Sequence, residues 1–333
     1  MLVANHFQAF VQNLHIEPAT EANIAKWFSQ ITARLNQDFW GINSTVQNSR
    51  YVGSYGRGTA IRGIKDIDIA FELPPAFFAE FDRLSDNGPG KLLETVRQSL
   101  AQVAPKAKIG QDERTIVINT PEFELEVLPV FRQEDRSYLY PHASYGGRWR
   151  PARLLAEIEA IEENDQKHHG KVRNLAKMMA AWRREHRAPL SGLLIETLIM
   201  DFLDRKLLEN ENYSEAFAAY PYLIRGFLAF LAGQDINQKH WLARGSEQFV
   251  YRLGTFENHA RASLAEAQAR VASASSALAL SRSDLARAQR LVEEDAVAAN
   301  EIDRLRAEVR VNEAALAAAQ ATVRIRALDV EFT

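Results

Sequence analysis

The chain has 333 residues, 47% of them hydrophobic, with a formal net charge of −3 and no cysteine. That is enough for about two domains with sizeable cores. It excludes disulfides, thiolate metal sites and cysteine nucleophiles, and it confines any affinity for polyanions to a local patch.

The first residues, Met1 to His6, have neither the basic nor the apolar region of an export signal. No apolar run approaches the roughly 20 residues of a membrane-spanning helix, so a soluble cytoplasmic protein is the expectation. Residues 4–40 predict two helices. Phe7, Phe10, Val11 and Leu14 recur at helical spacing, Glu17-Pro18-Ala19-Thr20 breaks the pattern, and Ile24, Trp27, Phe28, Ile31 and Leu35 form a second apolar face.

Arg50-Tyr51-Val52 predicts a short strand leading into Gly53-Ser54-Tyr55-Gly56-Arg57-Gly58-Thr59. Glycines at 53, 56 and 58 let the backbone approach a ligand closely, and Ser54 offers a hydroxyl and an amide to a terminal phosphate. After Lys65, Ile67, Ile69 and Phe71 alternate with Asp66, Asp68 and Glu72. A strand puts residues i and i+2 on one face, so Asp66 and Asp68 point together. Paired carboxylates are hard oxygen ligands of the kind magnesium shares with substrate phosphates. The stretch therefore reads as a phosphate cradle followed by a metal-binding strand, for a protein that handles nucleoside triphosphates. The competing reading is a glycine-rich turn before an edge strand with a solvated acidic face. A Walker A loop is excluded, because no G-x-x-x-x-G-K-[ST] occurs.

Residues 74–104 predict a proline-initiated helical region, broken at 85–90, with Leu92, Leu93, Val96, Leu100 and Val103 as the buried stripe of its second helix. Strands follow near 106–111, 114–119 and 122–131. In the last, Glu122, Glu124 and Glu126 alternate with Phe123, Leu125 and Val127. Three glutamates on a strand face are also what a solvated edge shows; as a third carboxylate beside the Asp pair, Glu126 is favoured over Glu124 by position. Residues 134–150 read as a loop, and helices are predicted at about 151–166, 169–187, 190–209, 214–232 and from 245 onward. Leu175, Met178, Met179 and Trp182 make a core stripe with Lys177 beside it. His168 and His169 face different ways on a helix and are read as surface. From 261 alanine dominates. Leu264, Val271, Leu278, Leu285 and Leu291, a break at 293–298, and then Leu305, Val309, Ala315, Leu316, Ala319 and Val323 predict an antiparallel helical hairpin with a coiled-coil seam.

Gly53-Ser54-Tyr55-Gly56-Arg57-Gly58-Thr59, Asp66-Ile67-Asp68-Ile69, Glu126-Val127-Leu128-Pro129 and Leu190-Ser191-Gly192-Leu193-Leu194-Ile195-Glu196 resemble the bacterial cGAS/DncV-like nucleotidyltransferases, over about residues 1–260. These are polymerase-β-like enzymes that make cyclic di- or trinucleotides in anti-phage (CBASS) defence. The pattern is most similar to the CdnE-like clade, whose products include cyclic UMP-AMP. The resemblance implies an α/β plus α architecture. A mixed-sheet catalytic lobe with the N-terminal helices (1–150) would face a helical lobe (151–260), with the nucleotides between them. It implies two Mg²⁺ ions, replaceable by Mn²⁺, on Asp66, Asp68 and Glu126, although many relatives carry Asp at the third position. It also implies Lys177 and Ser191 as contacts to the donor triphosphate, beside Gly53 and Ser54, and Asn164 as a reader of the base. The implied partners are NTPs (ATP with UTP or another NTP) and a product-sensing effector, with no nucleic acid and no membrane.

Residues 261–333 instead resemble the helical hairpin of HlyD-like membrane fusion proteins, through residues 288–295 and Glu301-Ile302-Asp303, with 327–333 like the start of a return strand. The combination implies a gene fusion or chimeric sequence whose hairpin projects or self-associates. Two other readings stay open: a nucleotidyltransferase that modifies a protein or RNA, and an inactive scaffold working through the hairpin.

Overall fold

A computed structural model describes residues 2–103, 107–208, 220–292 and 299–323. Its centre is a seven-stranded mixed sheet with strand order β1-β2-β5-β4-β3, extended by β6 on β5 and β7 on β6. The strands are β1 (Ser49–Tyr51), β2 (Asp66–Glu72), β3 (Lys108–Gln111), β4 (Ile116–Asn119), β5 (Glu124–Arg132), β6 (Tyr138–His142) and β7 (Arg148–Ala152). Only β2 and β5 run parallel. A parallel pair needs a long crossover, and here it contains α4 (Pro75–Asp82), α5 (Gly88–Ala101) and the β3–β4 hairpin.

Alternation along β2 and β5 gives the sheet two unlike faces. Ile67, Ile69, Phe71, Leu125 and Val127 are buried on one face, against Ile24, Ile31 and Leu35 of α2 (Pro18–Leu35) and Leu92, Leu93 and Val96 of α5. Asn87 caps α5 by accepting from the Gly90 amide at 3.0 Å. The opposite face carries Asp66, Asp68 and Glu126. It is covered only past Ala70, where Val130, Tyr138 and Val52 meet Leu154, Leu155 and Ile158 of α6 (Leu154–Lys167).

A second core joins α7 (Lys171–Glu185), α8 (Gly192–Leu208), α9 (Tyr220–Ala232) and the start of α10 (Phe256–Val292). Phe7, Phe10 and Val11 of α1 (Leu2–Asn13) pack into this helical core rather than against the sheet. The Trp182 indole, fully buried, donates to Ser263 Oγ at 3.0 Å and fixes the base of α10. Beyond it α10 runs beside α11 (Ala299–Val323), with Ala288, Ile302 and Leu305 as a small cluster between them. Arg282 pairs with Glu313 across the hairpin at 2.7 Å.

The α/β plus α architecture expected from the sequence is the one observed. Three local readings are corrected. Residues 134–150 are not a loop: β6 and β7 form a hairpin there, because Tyr138 and Leu139 pack on the sheet. The helix expected from 245 starts at Phe256, after a two-stranded β8 (His240–Leu242) and β9 (Phe249–Tyr251) whose central Trp241 and Val250 enter the helical core. His168 is buried, with Nε2 3.0 Å from an oxygen of Asp204, and only His169 is exposed. The break at 293–298, the return strand at 327–333 and residues 214–219 lie outside the described residues, as do the side chains of Leu291, Ala319 and Val323.

Candidate active site

The β2–β5 register brings the carboxylates together. Asp66 lies opposite Glu124 and Asp68 opposite Glu126, so all four residues sit on one face of neighbouring parallel strands about 4.8 Å apart. Glu124 is exposed and Glu126 half-buried. Burial raises the Asp68 carboxyl above its ordinary pKa, and the Asp66 charge adds to this against Arg57 and Arg114. Glu126 is raised in the same way, by burial and then by Asp68 and Asp112, opposed by Arg114. The acidic face thus holds more negative charge than its neighbours offset.

Gly53 stands directly over this face. Its φ is +60°, and a Cβ built there would lie 1.7 Å from Asp68 Oδ2. Only glycine meets both demands, so the turn Gly53–Gly56 (α3) rests with its backbone against the carboxylate. Gly56 is held as closely, with a Cβ only 2.4 Å from the Tyr51 carbonyl oxygen.

A cavity of about 440 Å³ opens beside the turn. Its sheet-side wall includes Gly53, Ser54, Lys65, Asp66 and Asp68, and its helical wall includes Arg183 and Arg184 of α7 and Gly192 and Leu193 of α8. Arg183 donates to the Leu190 carbonyl at 3.1 Å and Arg184 to the Arg62 carbonyl at 2.8 Å, which sets both guanidinium groups at the wall. An adjoining, more open cavity of about 470 Å³ is lined by Lys65, Asp66, Glu122, Glu124 and Glu126.

Beneath the cavity Arg57 is buried between two lobes. Its Nε donates to Glu196 of α8 at 2.6 Å and a terminal nitrogen donates to Glu157 of α6 at 3.2 Å. The remaining carboxylate oxygens accept from Thr59, from Ser246 Oγ at 2.9 Å and from Gln248. Arg57 and Glu196 stood inside the two sequence motifs, but nothing in the sequence showed that they meet. Lys65, Arg183 and Arg184 carried no periodic signal at all.

The other sequence-predicted residues are placed differently. Ser191 caps α8, accepting from the Leu194 amide at 3.2 Å, next to the lining residues Gly192 and Leu193. Lys177 does not line the cavity. It is half-buried, and burial and then Arg173 lower its pKa, against Asp165 and Glu21. Asn164 donates back to the Ala160 carbonyl of its own helix at 2.8 Å and lies outside the lining.

Among the described residues no three histidines or carboxylates converge into a closed metal cage. The donor set fits a different arrangement. Hard oxygen donors with surplus negative charge suit magnesium, which takes one or two carboxylates and completes its shell with water and substrate phosphates.

Residues 1–165 match the family of the Second Messenger Oligonucleotide or Dinucleotide Synthetase domain, and residues 263–333 match the RND MFP alpha-helical hairpin domain. A probable cyclic nucleotide synthase of Bacillus cereus strain VD146 is 24% identical, over 58% of this chain and 64% of its own length. The chain therefore spans under two thirds of that relative. Escherichia coli MS115-1 CdnC, solved with ATP, superposes with a TM-score of 0.56 at 14% identity, covering 81% of this chain and 91% of that one. The STING-associated CdnE c-di-GMP synthase of Capnocytophaga granulosa gives 0.55 at 13% identity, covering 76% and 80%.

Two outcomes follow from the electrostatics. Replacing Arg57 with Ala leaves Glu157 and Glu196 buried without their cation, and urea denaturation in the absence of nucleotide is expected to show a loss of about 3 kcal/mol or more; an unchanged midpoint would mean that the network carries no stability. Asp68 is raised in the folded state, so its ionisation costs stability as pH climbs from the unfolded value of 3.8 toward the folded one. In chelator at pH 7, Asp68→Asn is expected to raise Tm by about 2 °C or more, and a lower Tm would show that the carboxylate is structural.

Proposed function

We propose that this chain, whose residues 1–165 match the Second Messenger Oligonucleotide or Dinucleotide Synthetase family, is a template-independent nucleotidyltransferase that joins NTPs into a cyclic oligonucleotide and releases pyrophosphate. The observation that carries this reading is the register of Asp66, Asp68 and Glu126 on the open face of the sheet, under Gly53 and against a cavity walled by both cores.

Asp66, Asp68 and Glu126 are the proposed ligands of two magnesium ions, with manganese able to replace them. When bound, the ions supply charge that acidifies an acceptor ribose hydroxyl and offsets a leaving pyrophosphate. Gly53 and Ser54 hold the donor's terminal phosphates, Gly53 by the close approach that its missing Cβ permits. Ser191 adds a hydroxyl at the start of α8. The reading passes the cationic role first given to Lys177 to Lys65, Arg183 and Arg184, because these line the cavity. Asn164, bonded to its own helix, is left without a role in base choice. The chain's own contribution is positioning and charge rather than covalent chemistry.

The proposed product is a cyclic dinucleotide, with cyclic UMP-AMP the first candidate on the sequence pattern. Its proposed setting is anti-phage (CBASS) defence, with a product-sensing effector and no nucleic-acid template. Among the described residues no helix is long and apolar enough to cross a membrane.

Incubation with all four NTPs and Mg²⁺ or Mn²⁺, phosphatase treatment and mass spectrometry are expected to yield a resistant cyclic dinucleotide. Asp66→Ala combined with Asp68→Ala is expected to abolish it while the circular dichroism spectrum stays unchanged. Product retained by the double variant would sink the reading. NMP incorporation only into added protein or RNA would replace it with the macromolecule-modifying alternative.

A further inference from the structure

A second cavity, of about 370 Å³, lies on the same face of the sheet as the carboxylates but beyond the Val52–Ala70–Val130 cluster. Strand register builds it. Arg50 lies opposite Ala70, Glu72 opposite Val130, and Arg132 opposite Tyr138, so these side chains alternate onto one face. Leu154 and Leu155 of α6 close the other side, with Arg136 and Glu159 at the edge. The same helix holds Glu157 against Arg57, which lines the catalytic cavity.

The polar groups here are arranged as in a binding site rather than a structural network. Arg136 is committed to Glu159. Arg50 and Arg132 are not engaged by any hydrogen bond or ion pair among the described residues, although both lie near enough to Tyr138 to act on its hydroxyl. Tyr138 lines the cavity, and its hydroxyl is bonded to no described residue and stays open to an incoming group. The lining is mainly polar, with Leu154 and Leu155 of α6 at one side, and its volume is within the range that holds small molecules.

We propose that this cavity is a second ligand site, separate from the catalytic cleft, for the phosphate ester of a hydroxylated compound such as a nucleoside monophosphate. Arg50 and Arg132 take the phosphate, because two guanidinium forks match its oxygens. Tyr138 donates to it. Glu72, the unpaired carboxylate of the lining, repels a bare anion but accepts from sugar hydroxyls, and Leu154 and Leu155 meet the rest of the ester. The assignment does not depend on the chain being a synthetase.

Calorimetric titration in chelator, with AMP, ribose 5-phosphate and inorganic phosphate as probes, tests it. The expected result is AMP binding that weakens at least about tenfold in Arg50→Gln combined with Arg132→Gln, and less in Tyr138→Phe. It should persist in Ser54→Ala combined with Asp68→Asn, which disables the cleft alone, and inorganic phosphate should bind more weakly than AMP. AMP binding that is lost in the cleft variant and unchanged in the arginine variant overturns the proposal, as does no binding of any probe. Equal affinity for AMP and inorganic phosphate overturns the ester assignment. NTP turnover is expected to survive in the arginine variant, so a failure of the synthetase reading is seen separately from a failure here.

Discussion

One buried guanidinium ties the molecule together. Arg57 comes from the turn that follows the first strand of the sheet, and its two carboxylate partners come from helices of the other core, Glu157 on α6 and Glu196 on α8. Charges taken out of water need dense compensation. They receive it from Thr59, Ser246 and Gln248, and the Arg57 carbonyl accepts from Arg173 at 3.1 Å. The glycine turn is thereby held at a set height over the sheet, and the cavity takes its shape from that height.

The acidic face is the counterpart of that network. Buried charge is neutralised beneath the cavity, whereas on the sheet Asp68 and Glu126 are left with too few cations and raised pKa values. A folded chain keeps such strain where something else supplies the missing charge, and perturbed carboxylates in a cleft mark functional sites for that reason. Gly53 belongs to the same device, since any larger residue would push the turn off Asp68.

The long helix α10 belongs to two structures at once. Its first turns, with Phe256 and Ala260, are part of the helical core and are pinned through Ser263 to Trp182. The rest pairs with α11 through Ala288, Ile302 and Leu305, with an ion pair between Arg282 and Glu313 across the seam. The hairpin is therefore continuous with the lobe, and the change in composition near 261 marks a change in packing partner rather than the end of an element.

Composition and period determined much of this. Alternation in Asp66–Phe71 and Glu124–Phe131 named the strands and separated their acidic face from their buried one, and the helical stripe through Trp182 named a core helix. The glycine and Asp-x-Asp spacing, being local, indicated the site's chemistry. Elements that draw their order from distant partners were illegible: the β6–β7 hairpin reads as a loop because its residues gain their burial from the sheet, and β8–β9 owe theirs to the helical core. The same holds for side chains. His168 looked like surface until Asp204, 36 residues away, was brought beside it, and the cavity wall draws Arg183 and Arg184, rather than Lys177, from the same helix. Sequence by itself decided which residues share a strand face or a helix stripe, because those relations are set by backbone period. Only the tertiary structure decided which charges meet across the two cores, because Arg57 lies beside Glu157 and Glu196 in space but 100 and 139 residues from them in the chain.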